Sequence, residues 1–130
     1  MKKILMGIAI VALCLTTAKA QGTQFTTAYK CIIANEQCFI VRVGAGGLSA
    51  TQRVDRLNER LAYILGYERL APGNIYIKTE KGLPVIYVGR SVLFEVTAAD
   101  GEANGVKPET LAEAWLANLR HALPQARPPA

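Results

Sequence analysis

Apolar positions change period several times along this chain, and each period predicts a different element. Ile4 to Leu15 is an almost unbroken apolar run, preceded by Lys2 and Lys3 and followed by Ala18-Lys19-Ala20. Charge, apolar run and small residues in that order predict a secretory signal peptide over 1–20, cleaved after Ala20. The run is too short for a membrane helix, which needs roughly 20 apolar residues. The stretch 21–27 is polar and reads as a flexible N-terminal segment. Beyond it, periodic patterning over 28–123 predicts a single domain, and 124–130 reads as a disordered tail.

Two strands, around 28–33 and 37–43, flank Ala34-Asn35 and predict a hairpin with a two-residue turn, since Asn35 tolerates a positive φ. Gly44-Ala45-Gly46-Gly47 ends the alternation. Ser49 and Gln52 then fit a capping box. After it, Val54, Leu57, Leu61, Ile64 and Leu65 recur at helical spacing, with Gly66 as the expected stop. Ala71-Pro72-Gly73-Asn74 is a turn. Three strands follow, Ile75–Thr79, Val85–Gly89 and Val92–Thr97, and their short links predict an antiparallel meander. Thr97 and Asp100 fit a second capping box for a short helix that Gly105 ends. Pro108 suits a first helical position. The last helix turns Leu111, Trp115, Leu119 and Ala122 inward. The order β-β-α-β-β-β-α(short)-α predicts an α+β fold. The expected architecture is a mainly antiparallel sheet of about five strands, covered by two main helices.

Signal cleavage alters the charge and cysteine counts. Lys2, Lys3 and Lys19 leave, so 15 basic residues become 12 against 10 acidic, and a formal charge of +5 falls to +2. Net charge then gives no argument for nucleic-acid binding. Cys14 leaves as well, and Leu13 stands where lipoprotein processing wants a small residue. Cys31 and Cys38 remain, and an even pair in an exported chain reads as a disulfide. A tight Ala34-Asn35 turn would set Cys31 opposite Cys38 on adjacent strands. A redox pair and a metal site are the alternatives. Neither fits the spacing well, because there is no C-x-x-C and the single histidine is His121.

No cofactor or metal is expected. The glycine run is neither a dinucleotide loop nor a Walker loop, although the capped helix end behind it could hold an anion. Arg53, Arg56 and Arg60 line one edge of the first helix's apolar stripe. They read as a solvated face with local ion pairs, or as a docking row for an anionic partner. Tyr76 and Tyr87 could form a binding surface if they share a sheet face, with core packing the other reading. Ser49 and Ser91 read as a cap and a hairpin residue. Glu95, Asp100, Glu102 and His121 are the candidates for acid–base chemistry, and nothing in the pattern gathers them into one cleft.

Ile33 to Arg42, Ser49 to Arg53, Ile86 to Asp100 and Leu111 to Trp115 together carry an overall pattern. It resembles the extracytoplasmic domain ahead of the membrane helices in some bacterial small-conductance mechanosensitive channels. Ala34-Asn35 replaces that domain's Asp-Gly turn, and Cys38 replaces a leucine. The channel's membrane helices have no counterpart in this chain, and the resemblance supplies no catalytic residues. It implies a periplasmic or secreted, non-enzymatic binding or interaction module of the cell envelope. The expected partner is an envelope protein or a cell-wall component, with no membrane span after cleavage. The alternative is a small periplasmic hydrolase using carboxylates or His121.

Overall fold

The structure, a computed structural model, describes residues 29–126. The predicted signal peptide, the polar segment after it and residues 127–130 lie outside the described residues.

β1 (Tyr29–Ile33) and β2 (Glu36–Val41) form an antiparallel hairpin around Ala34 and Asn35, both at positive φ (52° and 67°). Left-handed conformations at both central residues match the right-handed twist of the flanking strands. The helix α1 (Ala50–Tyr67) opens on the expected capping box. Ser49 Oγ accepts from the Gln52 N–H at 3.1 Å, and the Ser49 N–H donates to Gln52 Oε1 at 2.9 Å. Gly66 does not stop it: the helix continues to Tyr67, and the chain turns extended only at Glu68. A short 3₁₀ turn over Pro72–Asn74 leads to the meander, β3 (Ile75–Glu80), β4 (Leu83–Val88) and β5 (Ser91–Glu95). Thr97 and Asp100 cap α2 (Ala98–Asn104), and Gly105 closes it at φ 71°. α3 (Pro108–Ala122) starts at its proline and buries Leu111, Trp115, Leu119 and Ala122 as expected. The chain then stays ordered past 123: Leu123–Gln125 forms a 3₁₀ turn and Ala126 packs on the core, where the pattern predicted a tail.

The fold is α+β, but the expected single sheet is two sheets, β1–β2 and β3–β4–β5. Helices and aromatic rings join them. α1 packs on β1, β2 and β5, and α3 on β2, β3 and β4. Phe39 of β2, Phe94 of β5 and Trp115 of α3 meet with ring centroids 4.5–5.8 Å apart. Side chains occupy the outward carbonyls that further strand pairing would need. Leu93 O accepts from Arg60 at 3.3 Å and Glu95 O from Arg53 at 3.1 Å, both on the edge strand β5. On the opposite edge Ile75 O accepts from Arg120 Nε at 2.8 Å. A sheet edge covered in this way cannot template another strand.

Candidate functional site

The arginine row reads in sequence as a solvated face of α1 with local ion pairs, or as a docking row for an anionic partner. The structure turns the helix instead, so that Arg53, Leu57, Arg60 and Ile64, spaced by four, three and four residues, form the seam facing the sheets. Arg53, Leu57 and Ile64 are buried, while Val54, Leu61 and Leu65 are only partly covered. At 100° per residue, the buried face lies about 50° around the helix from the centre of the apolar stripe, toward the arginines.

Arg53 is 6% exposed. Its two terminal nitrogens reach Asp100 Oδ1 and Oδ2, each at 2.8 Å. The same nitrogens donate to Val43 O at 2.8 Å and Glu95 O at 3.1 Å, and the guanidinium lies 4.7 Å from the Phe94 ring centroid. Asp100 Oδ2 also accepts from the Thr97 N–H at 2.9 Å and the Thr97 hydroxyl at 3.0 Å. Asp100 is therefore both the capping acid of α2 and the counter-ion of α1. One side chain ties α1, the chain after β2, the end of β5 and α2 together. A buried charge survives only when it is paired and hydrogen-bonded in this way.

Arg60 makes a shallower pair with Glu95, at 2.8 and 3.3 Å, and the Glu95 side chain is 55% exposed. The guanidinium holds the Glu95 carboxyl below its ordinary value, chiefly through that hydrogen bond. Arg56 is exposed and makes no hydrogen bond or close ion pair among the described residues; it acts on Glu95 only through space. These three arginines, Phe94, Glu95, Leu48 and Thr97 line a groove of about 230 Å³. A second groove between Glu59, Arg60, Tyr63, Ser91 and Val92 shares Arg60 with the first. Both lie along the junction of α1 and β5, a track that Arg60 crosses where it reaches Leu93 O and Glu95. Tyr63 and Tyr67, 55% and 76% exposed, stack at 4.6 Å on the same flank of α1 as Arg56.

The glycine run forms a tight reversal rather than a phosphate loop. Ala45 and Leu48 exchange backbone hydrogen bonds at 2.9 and 3.0 Å across Gly46 and Gly47, whose φ values are 59° and 80°. The capping box already takes two of the donors at this helix end, the Gln52 N–H by Ser49 Oγ and the Ser49 N–H by Gln52 Oε1.

Tyr76 and Tyr87 are directly opposed on β3 and β4 and stack on one half-buried sheet face, 5.6 Å apart at 8°. Tyr76 donates to Gly89 O at 2.7 Å, and Tyr87 donates to Glu80. That carboxylate pushes the Tyr87 hydroxyl above its ordinary value, by accepting its proton and opposing the phenolate. The stack borders the arginine track: Tyr87 pairs across the strands with Val92, which lines the second groove, and the Glu95 charge acts on the Tyr87 hydroxyl.

The acid–base candidates do not converge. Glu95 is held by Arg60, and Asp100 by Arg53 and Thr97. Glu102 is exposed on α2. His121 Nδ1 lies 2.7 Å from Glu36 Oε1 and is likewise exposed. Among the described residues no group of three His, Cys, Asp or Glu side chains could hold a metal ion, and no helix is long and apolar enough to cross a membrane.

Cys31 and Cys38 are buried thiols. The predicted register is corrected: Ile33 faces Glu36 and Ile32 faces Gln37, but Cys31 faces Phe39. A bulge places Cys38 and Phe39 together opposite Cys31, so both turn inward. The two cysteines stay neighbours, and the Cys31 thiol hydrogen-bonds to Cys38.

Sequence reasoning missed Phe94, Leu48, Tyr63 and Val92 as lining residues. Phe94 and Val92 were visible only as strand residues and Tyr63 only as one of several tyrosines, because the track is made by α1 lying against β5. Residues 30–126 match a family described as a domain of unknown function (DUF8459), and the chain belongs to that family. No curated protein and no solved structure matches it.

Proposed function

We propose that this chain is an exported, non-enzymatic binding module of the cell envelope, and that the α1–β5 track is its binding site. Its likeness to a mechanosensitive channel's extracytoplasmic domain supports the envelope setting by analogy. The occupant we assign is a short extended peptide bearing a carboxylate. The observation that carries this reading is the charge balance in the groove. Arg53 and Arg60 are each paired with a carboxylate, Asp100 and Glu95, which leaves Arg56 as the arginine of the first groove with no carboxylate in contact among the described residues. Planar guanidinium groups suit carboxylates. Arg56 and Tyr63 are seven positions apart on α1, about 10 Å along the axis. That length fits three or so extended residues, at about 3.3 Å each. The carboxylate would lie at Arg56 and an apolar side chain against Tyr63 and Val92.

An envelope protein's C-terminus and a cell-wall stem peptide both offer this chemistry. Titration of the mature protein by NMR would use a soluble muropeptide in one arm, and in the other a linear peptide with a free C-terminus beside its amide. The expected result is movement of α1 and β5 resonances in at least one arm, weakened about tenfold by Arg56→Ala. Signals that stay still in both arms, or binding indifferent to Arg56→Ala, would overturn the assignment.

A further inference from the structure

Nothing in the proposed binding role uses Cys31 and Cys38. They are 4% and 1% exposed. A cross-strand pair in plain register would put one side chain opposite the other. Here the bulge inserts a residue, so Cys31 meets both Cys38 and Phe39 on the inward face. α3 covers this face: Trp115 stacks on Phe39 with centroids 4.5 Å apart, and Asn118 Nδ2 donates to Cys38 O at 2.7 Å.

We propose that Cys31 and Cys38 are joined in a disulfide that is made while the hairpin is still uncovered and is then sealed beneath α3. The oxidant required is a thiol oxidoreductase of the envelope carrying a reactive disulfide. The Cys38 thiolate attacks one sulfur of that disulfide and expels the other as a thiolate, giving a mixed disulfide. The Cys31 thiolate then attacks the Cys38 sulfur and expels the oxidant's remaining sulfur. Two electrons and two protons pass from the pair to the oxidant, which leaves as a dithiol.

The order of events follows from access and from protonation. Once α3 has closed, no protein-sized oxidant can reach either sulfur. In the folded chain the Cys31 thiol is also held far above its ordinary value, first by its hydrogen bond to Cys38 and then by burial. A thiol held protonated is a poor nucleophile. The hairpin is local, with six residues between the cysteines, so it can form ahead of the long-range packing of α3.

Protein recovered from the envelope would be alkylated in denaturant without reductant and digested with a protease that cleaves after glutamate. Glu36 lies between the two cysteines, so a disulfide holds the two fragments together. Linked fragments are expected; separate, alkylated fragments would overturn the proposal. Reduction by dithiothreitol should be about a hundredfold slower in buffer than in urea, because the bond opens only with α3. Equal rates would sink the sealing step while leaving the bond. The double variant Cys31→Ser/Cys38→Ser should melt about 10 °C lower. If that variant does not fold, the two measurements on the natural chain still decide.

Discussion

Arg53 and Arg60 sit seven residues apart on one helix seam, each paired with a carboxylate and each donating to a carbonyl of β5. They differ in depth. Arg53 and Asp100 are 6% and 2% exposed at the side chain, whereas Arg60 and Glu95 are 24% and 55%. Depth decides what the same chemistry is worth. At the inner end both ions have lost their water, and their pairing, two backbone carbonyls and Thr97 replace it. At the outer end water and salt still solvate both partners, so the pair adds little. Arg56, between them in sequence and exposed, has no counter-ion in contact among the described residues, and it is the residue we propose for a partner's carboxylate.

The largest effect is expected at the inner end. Arg53→Met should strand Asp100 and cost about 3–5 kcal/mol, a large part of the roughly 5–15 kcal/mol that holds a domain folded. A urea midpoint close to that of the natural chain would erase the contrast between the two ends. Adding Asp100→Asn to that variant removes the orphaned charge while keeping a capping side chain. The double variant should recover about 1–2 kcal/mol over Arg53→Met alone, and an additive loss in the double-mutant cycle would mean that charge is not the reason. Arg60→Ala should cost below about 1 kcal/mol, with the difference from the natural chain shrinking as salt rises.

The Glu95 carboxyl is held below its ordinary value of 4.5, so its ionised form is the one the fold favours. Its contribution is fully present above about pH 4.5 and fades as pH falls below that toward the folded value. Melting temperatures of Glu95→Gln and the natural chain should therefore differ by a constant amount near neutrality and converge in acid. A gap that widens in acid would reverse the assignment. The smallest effect on stability is expected for Arg56→Ala, within about 0.5 kcal/mol of zero. A larger loss would show that Arg56 braces the fold and is not free for a ligand.

Most elements could be read along the chain because their signals are local. Both capping boxes, the Ala34-Asn35 turn, Pro108 at the first turn of α3 and the inward face of α3 occur as expected. The failures concern where a helix ends, the register of a hairpin and the division of the sheets. Gly66 looked like a stop, yet the hydrogen bond from Glu68 N–H to Ile64 O carries α1 past it. Cys31 faced Cys38 in an unbroken register, and a one-residue bulge moved the pairing to Phe39. Five strands looked like one sheet because short links specify neighbouring pairs and say nothing about which edges stay closed. Those edges are closed by Arg53, Arg60 and Arg120, the first two of which read in sequence as a solvated face or a docking row.

The amino-acid sequence by itself determined the elements, their order and their caps, because each depends on residues a few positions apart. Tertiary structure alone decided which arginine is a buried strut, which is a surface pair and which is free. Those roles depend on what lies opposite α1: Asp100 of α2 and the end of β5 are more than thirty residues away in the chain and in contact in space. Helical spacing gives a charged side chain a direction, and only the packed neighbour supplies the counter-ion, the carbonyl and the exclusion of water that set its energy.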